Sequence, residues 1–113
     1  MPTVSHDIVT EDNFYRSLFE NAAAGIGRTD WDSGRVLIAN ARLAEIFGYD
    51  NRNEFIRDFI FAEHYPDEGG RQRQLEFYQQ RPGKPVEAVF TRKDESLVYV
   101  EAEVRVRRQV FIT

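Results

Sequence analysis

Cysteine is absent from the chain, so disulfides, thiolate metal sites and covalent chemistry at sulfur are excluded. Long apolar runs are absent as well. None approaches the roughly 20 residues that a bilayer-spanning helix requires, and no signal peptide is expected, which points to a cytoplasmic domain without membrane contact. Basic residues form no broad patch: 15 Lys and Arg are scattered among 19 Asp and Glu, for a formal net charge of −4. That distribution argues against a nucleic-acid partner, which calls for a clustered basic footprint. The densest basic stretch, Arg105, Arg107 and Arg108, is interleaved with Val104 and Val106 and reads as the wet side of a strand. There is no glycine-rich phosphate loop, zinc spacing or nucleophile–base pair. Accordingly, no catalytic residue and no metal ligand is nominated.

What the chain does have is aromatic bulk. Of its 113 residues 42% are hydrophobic and nine are Phe, enough to fill the core of one domain. Residues 1–9 follow no period and are expected to be flexible, leaving a single domain over residues 10–113. Thr10 is placed as a helix N-cap, with Glu11 and Asp12 where the helix dipole favours acids. Phe14, Leu18 and Ala22 recur every four residues and Phe19 widens the stripe, predicting an amphipathic helix over residues 10–22 and a core over 23–113. "GIGRTD" and "RVLIAN" flank the turn residues "WDSG", a hairpin signature. Asn40 then ends a strand and can cap the following helix through its carboxamide. It could also serve as a pocket hydrogen-bond donor, but capping accounts for it without a ligand. Leu43, Ile46 and Phe47 share a helical face, and Gly48 suits a left-handed helix end. Further helices are predicted over residues 53–59 and 70–80, the latter with Leu75 and Tyr78 inward and "RPGKP" as its stop. Val98, Val100, Ala102, Val104 and Val106 alternate with Tyr99, Glu101, Glu103, Arg105 and Arg107, and before them Val86, Ala88 and Phe90 alternate with Glu87, Val89 and Thr91, with "KDES" as the hairpin turn.

Three stretches in this order, "FYRSLFENAAAGIGRTD", "GRVLIANARLAEIFGYD" and "VFTRKDESLVYVEAEVRV", resemble PAS domains, the sensory modules of bacterial signalling proteins. The resemblance spans residues 14–107 and is to modules preceding histidine kinase or diguanylate cyclase domains, as in two-component systems. It implies an α+β fold: an antiparallel sheet of usually five strands, with short helices on one face around a small pocket. It also implies a sensor that binds a small ligand or none, dimerises, and relays a conformational signal to an effector domain. Two departures stand out. The last hairpin carries Asp94-Glu95 where the family has Asp-Gly; a non-glycine at positive φ costs on the order of 1 kcal/mol. After Arg108 only "QVFIT" remains, so the final strand is expected to be missing or truncated.

Ile26, Ile38, Asn40, Leu43, Phe47, Phe77 and Phe90 are the candidates for a ligand-pocket wall between sheet and helices. Phe14, Leu18 and Phe19 are the candidates for a homodimer interface. Photoactive flavin and chromophore-thioester forms of the family need a cysteine and are excluded; noncovalent flavin, haem or a small metabolite stay open. His64 has Asp67 and Glu68 nearby, but the spacing fits no tetrahedral metal motif, and family members often carry a histidine there without metal. Glu101 and Glu103 read as a solvated surface salt-bridged to Arg105 and Arg107. The rival reading is a small α+β enzyme resembling ketosteroid isomerases, which would need a pocket carboxyl with a raised pKa.

Overall fold

A computed structural model describes residues 11–106; the expectations for Thr10, for Arg107 and for the segment after Arg108 lie outside them. Helix α1 (Glu11–Asn21) leads into strands β1 (Gly27–Thr29) and β2 (Val36–Ala39). Helices α2 (Ala41–Ile46) and α3 (Arg52–Asp58) follow, then a 3-10 turn (Phe61–Glu63), α4 (Gly70–Gln80), β3 (Val86–Thr91) and β4 (Leu97–Ala102). This is an α+β architecture in the element order expected.

Local chemistry explains most boundaries. In the β1–β2 turn the Asp30 carboxylate accepts from the Ser33 amide (2.8 Å) and hydroxyl (2.6 Å), and these donors hold its pKa down. Gly34 completes the turn at φ 75, where a Cβ would stand 2.7 Å from the Ala62 nitrogen. Only glycine fits both the backbone and the space. Asn40 caps α2 and Asn51 caps α3, each side chain accepting from the amide three residues on. The α3 cap is therefore Asn51, so that helix begins slightly earlier than its predicted start at residue 53. Gly48 follows α2 at φ 86, the predicted left-handed stop. Glu95 takes φ 70 in the last hairpin, so the departure from Asp-Gly is met by strain at a non-glycine residue.

Strands β1 and β2 form one antiparallel pair, with an irregularity between Arg28 and Thr29. Strands β3 and β4 form another, fully in register from Val86↔Ala102 to Thr91↔Leu97. Among the described residues the strands thus form two two-stranded ladders that share a core. β4 ends at Ala102, opposite Val86, the first residue of β3, short of the predicted run to Val106, so Glu103 and Arg105 lie outside the strand; just beyond the ladder the Val104 carbonyl accepts from the Gly83 amide at 3.0 Å. Glu101 instead faces Glu87 across the ladder, and among the described ion pairs none joins Glu101 or Glu103 to Arg105.

The core is aromatic. Phe47 lies 5.7, 4.8, 5.3 and 5.6 Å (ring centroids) from Phe55, Phe59, Phe61 and Phe90. Val36, Ala39 and Ala44 close it from one side, Ala88 and Val98 from the other. Each buried Phe contributes about 2–3 kcal/mol from area alone, and the offset and edge-on rings add up to about 1 kcal/mol per pair. This cluster outweighs any polar contact in the fold.

Candidate functional site

The seven pocket candidates do not line one cavity. Phe47 and Phe90 are 2% and 4% exposed and packed ring against ring, so they are core. The reason is packing: neighbouring Phe55, Phe59 and Phe61 take up the space between the helices and the hairpin. Leu43 packs on the edge of that core. Ile26 and Ile38, 42% and 47% exposed, lie together in an open groove near α1, and Phe77 lies in a different groove beside α4.

Asn40 is a junction. It is fully buried, and its Oδ1 accepts from the amides of Leu43 (2.9 Å) and Ile26 (3.0 Å). Its Nδ2 donates to the carbonyls of Phe19 and Ala24, each at 3.0 Å. All four valences of the carboxamide are used, tying α1, the α1–β1 connection and α2 together. The capping role is confirmed, and no valence is left for a ligand.

The groove beside α4 has a volume of about 470 Å³. Tyr65, Gln74 and Phe77 line one side; Ala88, Val89 and Val100 of the hairpin line the other. Several contacts seat α4 there. Tyr78 is buried, and Arg71 donates to the carbonyls of Trp31 and Asp32 at 2.9 Å each, pinning the helix start to the β1–β2 turn. Gln74 shares the inward side with Tyr78, four residues on. Its Nε2 is buried and has no hydrogen-bond partner among the described residues. Burial pushes the Tyr65 hydroxyl up to about 12, so at neutral pH it is a protonated donor. Burial also raises Tyr78, while the neighbouring Gln74 side chain pulls the other way. Asp67, Arg73, Glu87, Tyr99 and Glu101 surround the opening, with Arg73 engaged by Asp67. Of these groove residues only Phe77 was legible in the sequence. The inward spacing 74–78 could have flagged Gln74, whereas nothing periodic marks Tyr65.

The second groove, about 670 Å³, runs between α1, the β1–β2 pair and α3, and is lined by Tyr15, Phe19, Ile26, Leu37, Ile38 and Ile56 among others. The Glu20–Arg52 ion pair fastens α1 to α3. Phe14 and Leu18 are each 54% exposed and Tyr15 is exposed beside them. Phe19, half-buried, turns into the groove, so the dimer candidates divide between the free stripe and the groove wall.

His64 is held by structure. Its Nδ1 lies 3.0 Å from the Thr91 carbonyl, an acceptor only, so this nitrogen carries the proton; the ring stacks on Phe59 at 4.1 Å. Among the described residues no group of three or more His, Asp or Glu is placed to hold a metal. Among the described residues the carboxylates with displaced pKa are Asp30, lowered by Ser33, Asp58, lowered by Arg57, and Asp94, lowered by Ser96. That is opposite in sign to the proton-holding carboxyl the isomerase-like reading requires. No described helix is long and apolar enough to cross a membrane.

Comparison with known proteins adds three findings. A PAS domain family model matches residues 13–81, more than half of the chain. A solved domain of the sensory box sensor histidine kinase/response regulator from Geobacter sulfurreducens is similar at 28% identity and a TM-score of 0.58, covering 80% of this chain and 78% of that one. No curated protein matches.

Proposed function

Because the chain belongs to the PAS domain family and is a sensor module of signal transduction, we propose that it senses a small ligand in the α4 groove and signals as a homodimer joined through α1. An effector domain in the parent protein would take up the signal, a histidine kinase being the kind found in the similar Geobacter protein. The observation that carries this reading is the state of α1. Its C-terminal end is fastened to the core by the Asn40–Phe19 bond and the Glu20–Arg52 pair. Its apolar stripe, Phe14, Tyr15 and Leu18, stays exposed and continues into the Ile26–Leu37–Ile38 surface of the second groove. A continuous apolar patch of this kind favours a partner, and a second copy presenting the same patch is self-complementary about a two-fold axis. A ligand that shifts the population of core arrangements would then move a helix shared between protomers.

Sedimentation velocity tests the reading. The unmodified chain is expected to run as a dimer, and the Phe14→Glu/Leu18→Glu double variant as a monomer with an unchanged far-UV circular dichroism spectrum. A monomer at the highest attainable concentration of the unmodified chain overturns the homodimer.

A further inference from the structure

The groove between α1, the β1–β2 pair and α3 carries a charge pattern that the fold leaves unused. Tyr15 and Phe19 of α1, Ile26, Ile38 of β2 and Ile56 of α3 give it apolar walls. The Glu20–Arg52 pair and the bond from the Asn40 side chain to the Phe19 carbonyl hold α1 in place as one of those walls. Two more guanidinium groups belong to the lining: Arg16 on α1 and Arg28 on β1, the latter opposite Ile38 in the ladder. Both are exposed, and among the described residues neither has an ion-pair partner. Glu20 is the one carboxylate among the described lining residues, and Arg52 already engages it. The groove is thus locally cationic in a chain whose formal net charge is −4. Apolar walls flanked by unpaired guanidinium groups complement an amphiphile with an anionic head: its chain displaces water from the walls, and the planar Arg fork takes a carboxylate bidentately. The negative charge of the whole chain opposes approach to an anionic membrane face, which favours a free molecule over a bilayer. A volume of about 670 Å³ falls in the range of small-molecule sites. The groove-facing part of α1, Tyr15 to Glu20, is about 8 Å long at 1.5 Å rise per residue, which suits a medium-length chain. We infer that this groove binds a free medium-chain fatty acid, its carboxylate taken by Arg16 and Arg28 and its chain laid along Phe19, Ile26 and Ile38. The site is separate from the α4 groove and does not depend on a ligand there. Phe14 and Leu18 lie outside its lining, so that side of α1 is left to the second copy.

Three probes of one chain length, kept below their micelle concentrations, separate the requirements: octanoate (an anion), octanol (neutral) and octyltrimethylammonium (a cation). Each is titrated into the 113-residue chain and followed by backbone amide NMR shifts. Octanoate is expected to move the Phe19, Ile26 and Ile38 signals and to bind roughly fivefold tighter than octanol, the worth of two exposed ion pairs. That advantage should shrink at high salt, and octyltrimethylammonium should bind most weakly. Arg16→Gln/Arg28→Gln should bring octanoate down to the octanol level and leave octanol unchanged, since neither arginine has an ion pair whose loss would disturb the fold. Ile38→Ser, at an exposed position, should weaken both. Phe14→Glu/Leu18→Glu should bind octanoate as the unmodified chain does, which keeps the site distinct from the homodimer. Octanol binding as tightly as octanoate, tightest binding of octyltrimethylammonium, or indifference of octanoate to the arginine substitutions overturns the ligand chemistry. Loss of octanoate binding in Phe14→Glu/Leu18→Glu overturns a site contained in one chain. Shifts confined to Ala88 and Val100 put the ligand in the α4 groove, and co-sedimentation with phosphatidylglycerol vesicles without saturable octanoate shifts makes this face a membrane contact; either result overturns the site.

Discussion

Replacing Asn40 distinguishes a helix cap from a junction, because the two roles differ several-fold in energy. A cap alone is worth about 1 kcal/mol. The carboxamide of Asn40 makes four hydrogen bonds in a fully buried position. At about 1 kcal/mol net each, less what water regains, Asn40→Ala should cost about 3–4 kcal/mol. For 113 residues with an unfolding entropy of about 2.1 cal/mol/K per residue, that lowers Tm by roughly 12–17 °C. Urea unfolding followed by circular dichroism measures the loss, with the m-value expected to hold. Asn40→Asp sharpens the test. It keeps the oxygen that serves Leu43 and Ile26 but sets a second oxygen against the carbonyls of Phe19 and Ala24. The introduced carboxyl is favoured when protonated, so its folded pKa is raised above the unfolded value of about 3.9. A raised folded pKa gives stability that is complete below the unfolded pKa and lost as pH rises through the folded one. Asn40→Asp should therefore gain on the unmodified protein as pH falls from 7 to 5, whereas Asn40→Ala should not. A loss of only about 1 kcal/mol in Asn40→Ala, or an Asn40→Asp variant as stable as the original at pH 7, refutes the junction.

Two further outcomes follow from single residues. Glu95→Gly relieves a non-glycine residue at φ 70 and should raise the urea midpoint by the equivalent of about 0.5–1 kcal/mol, with Glu95→Asn in between; a lower midpoint contradicts the strained turn. The Tyr65 hydroxyl, raised by burial to about 12, should ionise as a late step in a 295 nm absorbance titration that Tyr65→Phe removes. Since the folded pKa exceeds the unfolded one, this group's stabilisation is complete below about 10 and declines as pH rises towards 12; a variant titration curve identical to the original would contradict its burial.

The element order was legible because its signals are local. An Asn or Gly at a helix end acts on the adjacent amides, and alternation along β3 and β4 needs nothing beyond the strand's own pleat. The PAS likeness followed from that order, and the Glu95 departure could be read for the same reason, since the strain belongs to one residue's backbone. The candidate site was a different matter. Phe47 and Phe90 looked like pocket walls because an aromatic residue on an inward face satisfies either a cavity or a core. The choice between them depended on whether Phe55, Phe59 and Phe61, contributed by other segments, filled the space, which they do. Periodicity can say that Gln74 and Tyr78 turn inward. It cannot say which residues Gln74 will meet, because they include Val89 and Val100 on a hairpin beyond the α4 stop. Distances between segments far apart in the chain are set by packing of the whole core, and only the tertiary structure decides them.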